Sequence, residues 1–332
     1  KSGKSLLLER ILSGEMPPED NTKLTPAQIA VISRWIDAGA KTAGLEPENV
    51  EEGVLMTAAD RSYWAFQPIR RPKTPATKNA ARVRTPIDSF LLSRLEQKGG
   101  TFSPDAERRT LLRRAYFDLL GLPPTPEEVD RFLADDRPDA WERLIDDLLS
   151  SPHYGERWGR HWLDVAGYAD SEGYTNADTE RQWAWKYRDY VIRAFNADKP
   201  FDQFIQEQLA GDEMVSPPYE NLKPEEMDKV IATGFLRMAP DGTGDGGVDQ
   251  MVARNQVLAD TINVVSSSLL GITVGCAQCH EHRYDPIPQE DYYRMRAVFE
   301  PGYDWKNWRA PRARLISLYT DADRKQSQAV EV

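Results

Sequence analysis

The sequence predicts a mainly α protein with long ordered loops, plus a small helical segment at its start. Capping-box and proline-first helix starts recur along the chain, apolar residues return at spacings of three and four, and no sustained two-residue alternation marks a strand. A chain of 332 residues is long enough for two domains at roughly 100–200 residues each. With 40% apolar and 29% charged residues, 23 Pro and 21 Gly, the composition is globular and loop-rich, neither fibrous nor disordered.

Residues 1–45 read as a helical unit. Thr25-Pro26-Ala27-Gln28 combines an N-cap, a proline at the first helical position and a capping-box Gln. Ile29, Ile32, Trp35 and Ile36 follow on one face until Gly39 stops the helix. A shorter helix precedes it across the turn Gly14-Glu15-Met16-Pro17-Pro18. Gly3-Lys4-Ser5 imitates the end of a phosphate-binding loop but lacks the second Gly and the preceding strand. Residues 46–84 read as a basic linker: Arg61 to Arg84 holds seven Lys or Arg, no acidic residue, and prolines at 68, 72 and 75.

Residues 85–309 form the expected main helical domain. Ser103-Pro104 is expected to open a helix closed by Gly121, and Thr125-Pro126-Glu127-Glu128 is a capping-box start. Pro200 to Gly211 brackets an amphipathic run with Phe201, Phe204, Ile205 and Leu209 facing inward. Asp241 to Asp249 reads as a loop, and its acid spacing fits no EF-hand. Residues 310–332 are a polar tail or the start of a further domain.

Formal net charge is −11, an unfavourable field for nucleic acid. The longest apolar stretch, Ile262 to Ala277, is interrupted by Asn263, three serines and Thr273, short of the roughly 18 residues of a membrane span.

The only two cysteines lie in Cys276-Ala277-Gln278-Cys279-His280, a C-x-x-C-H. In that pattern two thiols add to haem vinyl groups and the adjacent imidazole becomes the proximal iron ligand. The competing readings are a zinc site, which lacks partner ligands, a redox dithiol, which has no need of His280, and an accidental pair. Candidate second axial ligands are His161, on a helix where Trp158, His161, Trp162 and Val165 are expected to share a face, and the thioether of Met238. Each has a structural alternative, a core histidine bonded to a carbonyl and a gap-filling core methionine. His282 is too close to His280 to reach the opposite face of one iron and is expected to hydrogen-bond locally, face a propionate or touch a second haem. Arg283 and Tyr284 are candidate propionate partners, with ion pairing to Asp285 or Glu281 as the alternative.

The run from Gly271 to Ile287 around this motif, with Gln289-Glu290-Asp291-Tyr292-Tyr293, resembles the planctomycete-type cytochrome c family. Arg157-Trp158-Gly159-Arg160-His161-Trp162, Tyr187-Arg188-Asp189-Tyr190 and Asp198-Lys199-Pro200-Phe201-Asp202 agree with it, so the resemblance spans nearly the whole chain. It implies a large exported protein in which a smaller cytochrome c domain precedes this one. Ser5-Leu6-Leu7, Glu15-Met16-Pro17-Pro18 and Trp35-Ile36-Asp37 resemble the C-terminal part of that smaller domain, which makes Met16 an axial ligand if the upstream C-x-x-C-H is present.

The functional expectation is a periplasmic or otherwise extracytoplasmic cytochrome with one haem c in this chain. It exchanges electrons by an outer-sphere route with redox partner proteins, and further domains of the same polypeptide are expected. The alternative is a haem-dependent oxidative enzyme, peroxidase-like or carbohydrate-oxidising, with an open distal site.

Overall fold

The computed structural model describes residues 2–18, 21–41, 58–173 and 178–330. The chain divides into two compact units, Lys1–Thr57 and Ala58–Val332. The described residues are mainly helical, as the sequence predicts; their only β feature is an isolated bridge between Ser171 and Glu180.

In the first unit Ser5 caps α1 (Leu6–Leu12) by accepting from the Leu8 amide, so this serine serves a helix start. Helix α2 (Pro26–Asp37) carries the expected box, with Thr25 and Gln28 satisfying each other's backbone amides, and Gly39 follows it at φ +94°. Ser2 donates from its amide and hydroxyl to Asp37, both at 2.8 Å, and these bonds hold the Asp37 carboxyl below its ordinary range. Among the unit's described residues only Leu8 is buried; Leu6, Leu12, Val31 and Trp35 remain exposed.

The second unit opens with α3 (Ala58–Arg61). Of the expected linker, residues 46–57 lie outside the described residues, and 68–77 have no regular structure. Its end is tied down: the Lys78 and Asn79 amides donate to Glu96 of α4 (Pro86–Gln97), and Arg84 pairs with Asp105 at 2.6 Å. Helix α5 (Arg108–Leu119) starts later than Ser103-Pro104 suggests, because the Ser103 carbonyl accepts from Arg82 (2.8 Å) and the chain stays extended to Glu107. Gly121 ends this element at φ +74°. Helices α6 (Pro126–Ala134), with the expected Thr125 box, and α7 (Ala140–Leu149) pack on α5 around Leu112, Tyr116, Phe132 and Leu148.

The largest core joins α8 (Pro152–Ala166), α9 (Ala184–Asn196), α10 (Phe201–Ala210) and the turn after α11 (Pro224–Ala232) to α12 (Gln250–Val265). Helices α8 and α9 approach closely at Gly155, where a Cβ would lie 2.4 Å from the Ile192 carbonyl oxygen.

Polar groups enter this core fully paired. Trp162 Nε1 donates to Tyr187 Oη (3.0 Å) and Gln208 Oε1 (2.9 Å), and Tyr190 Oη donates to Glu207 (2.8 Å), which also pairs with Lys199. The inward face of α10 therefore differs from expectation: Phe204, Glu207 and Gln208 are buried, while Phe201 is 61% exposed. Helices α13 (Gln289–Tyr303) and α14 (Asp321–Val330) complete the unit, the latter fastened by reciprocal bonds between Asn221 and Asp321.

Candidate functional site

The C-x-x-C-H segment is delivered by the end of α12. Three hydroxyls compete for the backbone there: Ser266 and Ser267 donate to the Asn263 carbonyl, and Ser268 donates to that of Val264. Such back-bonding favours a wider turn, and residues Ser266–Leu270 form a π-helical turn that ends at Gly271 with φ +66°. Gly275 then passes close over α12, where a Cβ would lie 2.9 Å from Asn263 Oδ1.

Residues Gly275–Gln278 form a 3₁₀ turn, with the Cys279 amide bonded back to the Cys276 carbonyl at 3.5 Å. At three residues per turn, positions three apart eclipse, so Cys276 and Cys279 stand on one edge of the turn. Both cysteines are free and exposed. Between them Ala277 is fully buried against Ile262, Val274, Ile287 and Tyr292, and this small core pins the turn beneath the thiols.

Helix α13 clamps the other side. Gln289 Nε2 and Tyr293 Oη each donate to the Gln278 carbonyl at 3.1 Å, and the Gln289 amide donates to Glu281 at 3.1 Å.

His280 is exposed, and its Nδ1–H donates to the Glu281 carbonyl at 2.6 Å. A carbonyl only accepts, so Nδ1 carries a proton, and in the neutral ring Nε2 holds the lone pair. His282 is buried and bonds locally: Nδ1 accepts from the Asp285 amide (2.9 Å) and the Tyr284 amide (3.3 Å), and its own amide donates to Ile287. Arg283 forms no ion pair among the described residues and lies 5.9 Å from the exposed Tyr284 ring. Of the nearby acids, Glu281 accepts from the Gln289 amide, and the Asp285 carboxylate lies 3.4 Å from His282 Nδ1.

The distal candidates sit apart from this loop's hydrogen-bond network. His161 is exposed on α8 beside Trp158, with ring centres 5.5 Å apart. The four-residue face expected there splits: Trp158, His161 and Val165 face outward, whereas Trp162, about 100° further round the helix from His161, enters the core. Met238 is enclosed in that same core, beside Phe235 and Trp162 in the cluster, and its carbonyl accepts from Arg181. Met16, in the first unit, is 40% exposed in a turn held by Lys23 donating to the Gly14 and Pro17 carbonyls.

A family model described as PSCyt2, protein of unknown function (DUF1549), matches residues 86–303, from the start of α4 to the end of α13. The chain belongs to this family. The PSCyt2 region therefore contains the complete C-x-x-C-H loop, its α12 support and its α13 clamp. Comparisons with curated proteins and with solved structures gave no match.

The sequence also concealed part of the acidic loop's role. Asp241 is buried, accepts from Thr243 and Arg237, and organises the chain beside α12, while Asp249 caps that helix. No helix among the described residues is long and apolar enough to cross a membrane.

Proposed function

We propose that the PSCyt2 region of this chain is an extracytoplasmic electron-transfer module that carries one covalently attached haem c. The observation that carries this reading is a single exposed edge: two free thiols three residues apart on a 3₁₀ turn, followed by an exposed imidazole whose Nδ1–H is taken by the Glu281 carbonyl, so that Nε2 is the ligating atom of the neutral ring. That pattern of one ring nitrogen engaged by a carbonyl and the other presented outward is the usual preparation of a metal-binding histidine. Cys276 and Cys279 are the attachment groups and His280 the proximal ligand. A haem held there supplies a one-electron iron couple.

The chain's own residues set the conditions for that couple. Ala277 buries the middle of the motif so that both sulfurs stay outside, and Gln289 and Tyr293 fix the Gln278 carbonyl behind it. Arg283, exposed and without a carboxylate partner among the described residues, is the cation for a propionate, with Tyr284 beside it. Of the two distal candidates in this unit, His161 presents its donor atoms outside the core and Met238 does not, which favours His161.

Optical spectra of the chain produced in a host competent in haem attachment test this reading. The expected result is a low-spin ferric spectrum in the wild type that turns high-spin in His161→Ala. A high-spin, cyanide-binding wild type supports the oxidative enzyme instead, and an unchanged low-spin spectrum in His161→Ala removes His161 as ligand.

A further inference from the structure

A second cluster lies on α12, the end of α13 and the segment after it. Trp308 stacks on Tyr303, with ring centres 5.5 Å apart at 20°. The Arg314 guanidinium lies 4.6 Å from the Trp308 ring centre and 5.4 Å from that of Tyr303, and the Arg254 guanidinium lies 5.7 Å from Trp308. Four buried nitrogens on these three side chains have no acceptor among the described residues: Nη1 and Nη2 of Arg314, Nε of Arg254 and Nε1 of Trp308. All are donors, so what would satisfy them is an acceptor.

The neighbouring carboxylates are already committed. Glu172 pairs with Arg181 at 3.0 Å, and Asp241 accepts from Arg237 at 3.0 Å and from the Thr243 amide at 2.9 Å. Arg314 Nη1 lies 3.7 Å from Asp241, beyond a hydrogen bond, and Arg254 has one bond, from Nη1 to the Trp305 carbonyl at 3.3 Å. Asp241 is shared between Arg237 and, at ion-pair distance, Arg314, so Glu172 and Asp241 supply two negative charges against the four guanidinium groups of Arg181, Arg237, Arg254 and Arg314, and two positive charges are left over. Water would satisfy the donors but leave that charge uncompensated; an oxyanion satisfies both.

We infer that Arg254, Trp308 and Arg314 form a binding site for a small oxyanion, a carboxylate or phosphate group. Arg254 lies nine residues before Asn263, about 13 Å along the helix from the contact with Gly275. The inference is independent of whether Cys276 and Cys279 carry a haem.

The test is calorimetric titration of the intact chain with inorganic phosphate and, separately, with succinate, each against sodium chloride at matched ionic strength. Thermal unfolding is followed in the same solutions. Saturable binding of either anion, with a stabilisation that grows with its concentration, is expected in the wild type. Arg314→Gln and Trp308→Phe, the latter keeping an aromatic ring beside Tyr303 while losing Nε1–H with the pyrrole half of the indole, are each expected to weaken binding by about tenfold or more. Preference for phosphate or succinate tells which group the site takes. No saturable binding of either anion beyond the chloride control overturns the proposal, as does wild-type affinity in Trp308→Phe together with Arg314→Gln.

Discussion

Gly275→Ala is the most direct probe of how the motif is held. Gly275 lies outside the left-handed backbone region, so alanine is not opposed by φ; the obstacle is the added Cβ, 2.9 Å from Asn263 Oδ1 and 3.3 Å from Nδ2. Contacts that short force the Asn263 amide to move; it is the end of a flexible side chain with no bond of its own among the described residues, so the cost falls at the low end of overpacking, about 1 kcal/mol. For a unit of this size that is a fall in melting temperature of about 2–4 °C for each kcal/mol. Asn263 engages the serines through its backbone carbonyl and forms no side-chain bond among the described residues, so Asn263→Ala removes the obstacle without breaking a hydrogen bond. Thermal unfolding of the four proteins of the double-mutant cycle decides the matter. Gly275→Ala should cost about 1 kcal/mol with Asn263 present and less than about 0.5 kcal/mol with Ala at 263. Equal cost in both backgrounds would refute the claim that close passage over α12 sets this glycine.

Two further outcomes follow from other parts of the fold. Lys199→Met leaves Glu207, 2% exposed, without its cation, with only Tyr190 and Gln203 to donate to it; chemical denaturation should show a loss of about 3–5 kcal/mol, and a loss under 1 kcal/mol would contradict the pairing. The Asp135 carboxyl is lowered to about 2, first by the hydrogen bond from the Arg137 side chain and then by the Arg137 amide. A lowered carboxylate contributes stability above its unfolded value that is lost as pH falls through the folded one, so this pair should hold down to about pH 2. Carboxyl NMR should place the Asp135 midpoint near 2 and move it upward in Arg137→Gln; a midpoint near 4 in the wild type would remove the interaction.

Much of the helical fold is legible because its signals are local. The Thr25 and Thr125 boxes, and the stops at Gly39 and Gly121, depend on residues within one turn, and all four appear where the sequence places them. The C-x-x-C-H is legible for the same reason. What periodicity misses is polar material in the core. An apolar count turns α10 about Phe201, yet Glu207 and Gln208 go inward because Tyr190, Lys199, Tyr187 and Trp162, distant in sequence, supply their partners. The buried role of Asp241 is hidden likewise: its partners include Arg314, more than seventy residues later, and a single acid among glycines reads as loop. The splitting of the Trp158, His161, Trp162 and Val165 face shows the complementary limit, since spacings of three and four cannot tell which edge of a wide aromatic stripe a neighbouring helix will cover.

The proposed function stands or falls on whether Cys276 and Cys279 would hold a haem covalently with His280 as its iron ligand. A pyridine haemochrome assay on acid-acetone-washed protein, from a host competent in haem attachment, tests it most directly. The expected result is a c-type signal at one haem per chain, as the single C-x-x-C-H requires, abolished when both cysteines are replaced by alanine. Protein that retains no haem after the wash would contradict it and leave the two exposed thiols as a redox dithiol.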